Sequence, residues 1–129
     1  MNNDANEKKK ILIVDDNMTN LMLAETYLKD EYEIDVVKSG TEAITYLLNK
    51  LNPNLVLLDI LMPDVDGWEV FNRIRAISFL KDIPIAFLTA VHGEAEKKRA
   101  YEIGAVDYIT KPYHRKALRD RVREILIKA

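Results

Sequence analysis

The run Leu55–Leu58 constrains the fold of this chain more than any other stretch. Four consecutive large apolar residues predict a short strand covered on both faces, which is typical of a parallel sheet flanked by helices. The run ends in Asp59, and Pro63 and Gly67 follow soon after it. Proline fixes φ and glycine tolerates a left-handed conformation, so the chain is expected to turn there. We therefore take Asp59, at the carboxyl end of a buried strand, as the candidate reactive residue.

Length and composition predict one domain, in residues 10–129. A chain of 129 residues buries about two-thirds of its unfolded surface, so it needs no disulfide or metal for stability. The absence of cysteine excludes disulfides and cysteine-ligated metals, and it fits a cytoplasmic location. Residues 1–9 are interpreted as a flexible lead-in, and no apolar stretch has the length of a signal peptide or a membrane span. The net charge of −2 favours neither nucleic acid nor a membrane surface as a partner.

Short apolar runs alternate with segments of helical spacing along the chain. In the last helical segment, for example, Leu118, Val122 and Ile125 recur every three or four positions. The alternation predicts an α/β fold, a doubly wound (βα)5 parallel five-stranded sheet with right-handed crossovers. Such a sheet most often has the strand order 2-1-3-4-5, with its site where strands 1 and 3 diverge. The predicted strands are 11–14, 34–38, 55–58, 85–88 and 106–110, and the predicted helices are 19–29, 40–50, 68–77, 94–103 and 115–128.

Polar side chains follow the predicted strands at their carboxyl ends, which meet at one crevice in this topology. Carboxylates placed together there repel each other, at a cost of about 4 kcal/mol for two unit charges about 4 Å apart at an effective dielectric constant of about 20. A cation has to relieve this repulsion, and all-oxygen ligands with room for water suit Mg²⁺. A phosphoryl group is the usual partner of that ion, and an aspartate can accept it as an acyl phosphate. The polar residues are Asp15, Asp16, Asp59, Thr89 and Lys111.

Four short motifs stand in order at these strand ends. They are Asp15-Asp16, then Asp59 to Pro63 with Asp66-Gly67, then Thr89-Ala90, and finally Lys111-Pro112. Together they resemble the receiver domain of two-component response regulators, over about residues 10–129. The resemblance implies a flavodoxin/CheY-like three-layer sandwich. It also implies a phosphoacceptor switch that catalyses only its own phosphorylation and slow dephosphorylation, and not an enzyme for an external substrate.

The resemblance implies a role for each residue of the site. Asp59 would take the phosphoryl group from the phosphohistidine of a sensor histidine kinase or of a histidine phosphotransfer protein. Asp16, Asp59 and the Leu61 backbone carbonyl would bind Mg²⁺ or Mn²⁺, and Asp15 would reach the ion through water. Lys111 would pair with Asp59 and then with the phosphoryl oxygen.

The resemblance also implies how the domain would signal. On phosphorylation, Thr89 would move to hydrogen-bond the phosphoryl group and Tyr108 would turn inward. The face made of the fourth helix, fifth strand and fifth helix would then control an output domain or protein. The same face could also form a phosphorylation-dependent homodimer. The Lys111–Pro112 peptide would be cis, and Gly67 would have a structural role. Neither direct nucleic-acid binding nor membrane contact is expected.

Two residues near the expected phosphoryl position bear on its lifetime. Leu61 and Val91 are both apolar, so neither side chain can position a water molecule for attack on an acyl phosphate. We therefore predict slow self-dephosphorylation.

Three other functions fit parts of the pattern. A haloacid-dehalogenase-type phosphohydrolase needs a second aspartate two residues after the nucleophile, and this chain has Leu61 there. A nucleotide or flavin binder needs a glycine fingerprint that Gly40, Gly67, Gly93 and Gly104 do not form. The alternative function is a phosphorylation-independent, receiver-like interaction module, against which the complete set of site residues argues.

Some polar residues have a plain structural interpretation. Asp64 and Asp66 resemble part of a calcium loop, but the twelfth position of that loop would be Arg73, so we interpret them as turn formers. His92 and His114 have no companion at the spacing of metal ligands, and we expect both to be exposed.

Overall fold

A computed structural model describes residues 8–49 and 51–129, and strands alternate with α-helices along it. All ten predicted elements are present and the predicted α/β class is confirmed. Seven of the nine residues predicted as a lead-in, and Lys50 at the predicted end of the second helix, lie outside the described residues. The strands are β1 Lys10–Val14, β2 Glu33–Val37, β3 Leu55–Leu58, β4 Ile85–Thr89 and β5 Asp107–Thr110, and the helices are α1 Met18–Leu28, α2 Gly40–Leu48, α3 Gly67–Arg75, α4 Glu94–Glu102 and α5 Arg115–Lys128.

The strands form one parallel sheet in the predicted order, β2-β1-β3-β4-β5. The last residues of neighbouring strands are in register: Val14 of β1 pairs with Leu58 of β3, and Thr89 of β4 pairs with Thr110 of β5. Because parallel strands that end in register deliver the next residues to the same edge, polar residues far apart in the chain become neighbours there.

The helices cover the two faces of the sheet and create two apolar cores, which gives the three-layer sandwich. On one face, α1 and α5 pack against alternate strand residues such as Ile13 and Leu57, and we call this the α1–α5 layer. On the other face, α2, α3 and α4 pack against residues such as Leu58 and Phe87, and we call this the α2–α4 layer. All four residues of β3 are buried, as the apolar run predicts.

Helix boundaries differ from the predicted ones by at most two residues, and those of α5 agree with the prediction at both ends. The third helix is predicted to reach Ile77 but ends at Arg75, because Ile77 adopts an extended conformation and begins a short 3-10 turn, Ser78–Leu80. The end of α4 is as expected: Gly104 has a φ of 107°, which suits a glycine. Among the described residues, no helix combines the length and the apolar character that crossing a membrane requires.

Candidate functional site

The carboxyl ends of β1 and β3 bring three aspartates together. The backbone N–H of Asp59 donates to the Val14 carbonyl oxygen at 3.0 Å, so the ladder between these strands extends into the site. Asp15 and Asp59 are 3% and 6% exposed, whereas Asp16 is exposed. Each aspartate offers one carboxylate oxygen, and these oxygens lie within 4.8 Å of one another. All-oxygen donors in such a cluster can hold a divalent cation.

Lys111 places a positive charge against the two buried carboxylates. Its Nζ lies 2.5 Å from Asp15 Oδ2 and 3.4 Å from Asp59 Oδ2. The predicted contact with Asp59 is therefore present, but the shorter contact is with Asp15, which the sequence did not indicate as a partner. The peptide bond from Lys111 to Pro112 is cis.

The surroundings of Asp59 shift the pKa of its carboxyl group upward. Burial raises the pKa of its carboxyl group above the ordinary value; the charge of Lys111 opposes this shift and the charge of Asp15 adds to it. The backbone N–H of Ile60 donates to Asp59 Oδ1 at 2.8 Å, so each carboxylate oxygen has a partner. A carboxylate that is desolvated and crowded by a like charge gains when a cation binds beside it.

Thr89 and Tyr108 meet at the loop between β4 and α4. Thr89 is fully buried, and its hydroxyl accepts a hydrogen bond from the backbone N–H of Val91 at 3.2 Å. Tyr108 is 3% exposed, and its hydroxyl donates to the Val91 carbonyl oxygen at 2.7 Å. The inward orientation that the resemblance implies for the phosphorylated protein is thus the orientation of Tyr108 in this structure, where its ring centroid lies 6.1 Å from that of Phe87.

Position 67 requires glycine because there is no space for a Cβ atom, and not because of the left-handed turn conformation that the sequence suggested. It is the first residue of α3 and is not among the described glycines with a positive φ. Its N–H donates to the Ile60 carbonyl oxygen at 2.8 Å, and a Cβ at this position would collide with the Asp59 carbonyl oxygen. The start of α3 therefore packs directly on the backbone of the acceptor residue. Leu61 lies in the intervening loop with its side chain 61% exposed.

Asp64 has a structural role that the sequence interpretation as a turn former missed. Its carboxylate accepts hydrogen bonds from the Gly40 and Thr41 backbone N–H groups, at 3.3 and 3.0 Å, and from the Thr41 hydroxyl at 2.8 Å. These bonds hold the pKa of Asp64 well below its ordinary value. They connect the start of α2 to the loop beside the site. No local sequence signal marks this contact, because its partners precede Asp64 by more than 20 residues. Asp66 instead caps α3 through the Glu69 N–H at 2.9 Å.

Known proteins resemble this chain over almost its whole length. The family model of the response regulator receiver domain matches residues 11–123. The probable transcriptional regulator ycf27 of Cyanophora paradoxa is 42% identical over 120 residues, which are 92% of this chain and 48% of that protein. The transcriptional regulatory protein ResD of Bacillus subtilis (strain 168) is 40% identical over 127 residues, which are 98% of this chain and 51% of that protein. The chain thus spans about half the length of these curated relatives.

Solved structures show the same architecture. A putative response regulator from Chloroflexus aurantiacus J-10-fl superposes with a TM-score of 0.87 at 34% identity, covering 94% of this chain and 99% of that one. The Mn(2+)-bound form of response regulator Rcp1 superposes with a TM-score of 0.77 at 33% identity, covering 91% of each chain. With the family match and the order of the strands, these similarities lead to one conclusion: the chain belongs to the response regulator receiver domain family of two-component signal transduction.

Proposed function

We propose that Asp59 is the phosphoacceptor of this domain and receives its phosphoryl group from the phosphohistidine of a sensor histidine kinase or of a histidine phosphotransfer protein. The observation that carries the proposal is the position of its carboxylate, which is buried at the carboxyl end of β3 with Lys111 at 3.4 Å. In the transfer, an oxygen of Asp59 attacks phosphorus, the P–N bond of the donor breaks, and an acyl phosphate forms.

The neighbours of Asp59 have complementary roles in this proposal. Mg²⁺, or Mn²⁺, would be held by Asp16, Asp59 and the Leu61 carbonyl, with Asp15 acting through water, and it would supply positive charge beside the phosphoryl oxygens. Lys111 neutralises the negative charge of the reactants, since its ammonium already contacts the acceptor carboxylate. Catalysis is then limited to the domain's own acylphosphate, and no external substrate is turned over.

The output side of the proposal depends on Thr89, Tyr108 and the face formed by α4, β5 and α5. Thr89 would hydrogen-bond the phosphoryl group, and Tyr108, bonded to Val91, would report the change to α4. That face would contact an output domain or protein, or a second copy of the chain.

Direct binding of nucleic acid is not part of the proposal, nor is contact with a membrane. The basic residues of α5 are engaged in ion pairs with acidic side chains, which leaves no one-sided basic surface on this helix. The relatives that are named transcriptional regulators are about twice as long as this chain, so contact with DNA would belong to an output region. We place the domain in the cytoplasm, where its phosphodonor would act. The ion pairs of the basic residues of α5 are Arg115–Asp30, Lys116–Asp120, Arg119–Glu31, Arg121–Asp107, Arg123–Glu31 and Lys128–Glu124.

Intact-mass measurement tests the proposal directly. The protein is incubated with acetyl phosphate, with and without Mg²⁺, beside the variants Asp59→Asn and Asp64→Asn. We expect one phosphoryl group on the wild type and on Asp64→Asn, in the presence of Mg²⁺, and none on Asp59→Asn. Asp64 is the matched control because it is an aspartate in the loop that follows Asp59. Its carboxylate accepts a hydrogen bond from the start of α2. A folded wild type that gains no phosphoryl group would favour the phosphorylation-independent interaction module.

A further inference from the structure

His92, in the loop between β4 and α4, is hydrogen-bonded to the backbone of Lys111. The imidazole Nε2 of His92 lies 2.8 Å from the Lys111 carbonyl oxygen. A carbonyl oxygen can only accept, so Nε2 must carry the hydrogen of this bond. The side chain is otherwise exposed, as expected from the sequence. The bond joins two loops that are 19 residues apart in the chain.

With this bond, both the N–H and the carbonyl group of the Lys111 main chain are hydrogen-bonded. The N–H of Lys111 donates to the Thr89 carbonyl oxygen at 2.8 Å, and the carbonyl oxygen of Lys111 accepts from His92 at the same distance. The ammonium of a lysine can reach no further than its four-carbon stem allows, so the position of the backbone limits which groups the ammonium can contact. Here the ammonium reaches the two buried carboxylates of the site, those of Asp15 and Asp59.

Contacts other than those of His92 hold the neighbouring residue of its loop, Val91. The Tyr108 hydroxyl already holds the Val91 carbonyl, and the Val91 N–H is bonded to the Thr89 hydroxyl. The bond from His92 is instead directed away from the loop, to the residue that carries the ammonium of the site. Its effect is therefore expected on Lys111 and not on the fold.

We propose that His92 is a positioning residue for phosphoryl transfer, which fixes the Lys111 main chain so that the ammonium faces Asp59. The proposal rests on the proposed function, because it assigns His92 to the reaction at Asp59. Loss of the bond allows Lys111 to drift, so the charge is less well placed when the phosphoryl group arrives.

The test compares His92→Ala with His92→Gln, and uses His114→Ala as the matched control. Glutamine keeps an N–H donor at similar reach, whereas His114 lies at the start of α5 and makes no side-chain cap bond within the described chain. We expect His92→Ala to gain phosphoryl from acetyl phosphate about threefold to fivefold more slowly than the wild type, the range of one modest hydrogen bond. His92→Gln should recover most of the rate, and His114→Ala should match the wild type. Thermal unfolding of all four proteins should be alike.

Two results would overturn the proposal: an unchanged rate in His92→Ala, or a rate in His92→Gln as low as that of alanine. If the wild type accepts no phosphoryl group, the proposed function fails, and the positioning role is judged by NMR. The backbone amide signals of Lys111 and Tyr113 should then move in His92→Ala and return toward wild type in His92→Gln. Signals that stay in place in both variants would show that His92 does not position Lys111.

Discussion

Helices α5 and α4 flank the same edge of the sheet but are attached to it by different forces. In α5, four residues are buried in the α1–α5 layer: Leu118, Val122, Ile125 and Leu126. In α4, all nine residues of which are described, Ala100 alone is buried. Burial of large apolar side chains contributes several kcal/mol, whereas one alanine contributes little. Helix α5 therefore belongs to the rigid core, while α4 is attached through individual contacts that a local event can exchange.

The contacts of α4 are aromatic and polar. The guanidinium of Arg99 lies 4.0 Å from the ring centroid of Trp68 on α3, and the Tyr101 hydroxyl donates to Asp107 at 3.0 Å. Each such contact contributes about 1 kcal/mol or less at an exposed position. Ion pairs also join α5 to the turn between α1 and β2, where hydrogen bonds from Arg119 and Arg123 lower the pKa of Glu31. Those surface pairs add little to a helix that its core already holds.

The largest expected difference between the two helices is in global stability. Leu118→Ala in α5 removes a fully buried side chain and should lower the free energy of unfolding by about 3 kcal/mol. Ala100→Gly removes the one buried side chain of α4 and should cost about 1 kcal/mol. Urea unfolding of both variants measures the difference. Equal losses would show that α4 is as firmly packed as α5.

The loop that leads into α4 and the loop that follows Asp59 should together control the lifetime of the phosphoryl group. Val91→Asn or Leu61→Glu supplies a polar group where the wild type is apolar, and this should shorten the lifetime about tenfold, the equivalent of one good hydrogen bond to an attacking water. The decay of the phosphorylated mass with time gives the rate. Leu23→Asn, at a partly exposed leucine of α1, is the control. A lifetime that neither site variant alters contradicts the predicted slow self-dephosphorylation.

Asp59→Asn should stabilise the domain by about 1 kcal/mol at neutral pH, because it removes a buried, crowded carboxylate. The sign follows from the raised pKa of Asp59 in the folded state. Below the pKa that Asp59 has in the unfolded chain, its carboxyl group is protonated in both states and does not lower the free energy of unfolding of the wild type. That free energy falls as the pH rises from there through the pKa that Asp59 has in the folded state. The gain in the variant should therefore disappear on acidification. Urea unfolding at several pH values measures it, and Asp16→Asn, at an exposed aspartate, should change stability by less than about 0.5 kcal/mol. A destabilised Asp59→Asn would contradict the prediction.

The smallest expected effect concerns the link between α4 and α3. Arg99→Ala should cost no more than about 1 kcal/mol, since it removes a cation–π contact at a partly exposed site. The fluorescence emission of Trp68, the single tryptophan of the chain, should change because the Arg99 guanidinium no longer covers its ring. Arg115→Ala breaks an exposed ion pair at the start of α5 and should leave the emission unaltered. A large loss of stability in Arg99→Ala would mean that this one contact holds α4.

Local patterns predicted the elements well because each depends on residues close in sequence. The apolar runs ending at Val14 and Leu58 are strands, and Gly104 closes α4 as expected. The end of α3 was missed by two residues, since the extended conformation of Ile77 is not visible in its apolar pattern.

The sequence alone determined the class of fold and the set of polar residues at the strand ends, because apolar runs, helical periods and strand-end motifs are local properties. The tertiary structure decided which of those groups touch. It placed Lys111 closer to Asp15 than to Asp59, bound Asp64 to the start of α2, and joined His92 to the Lys111 carbonyl. These contacts cross between elements that are far apart in the chain, and their lengths follow from how the packed layers position each backbone, which no local pattern encodes.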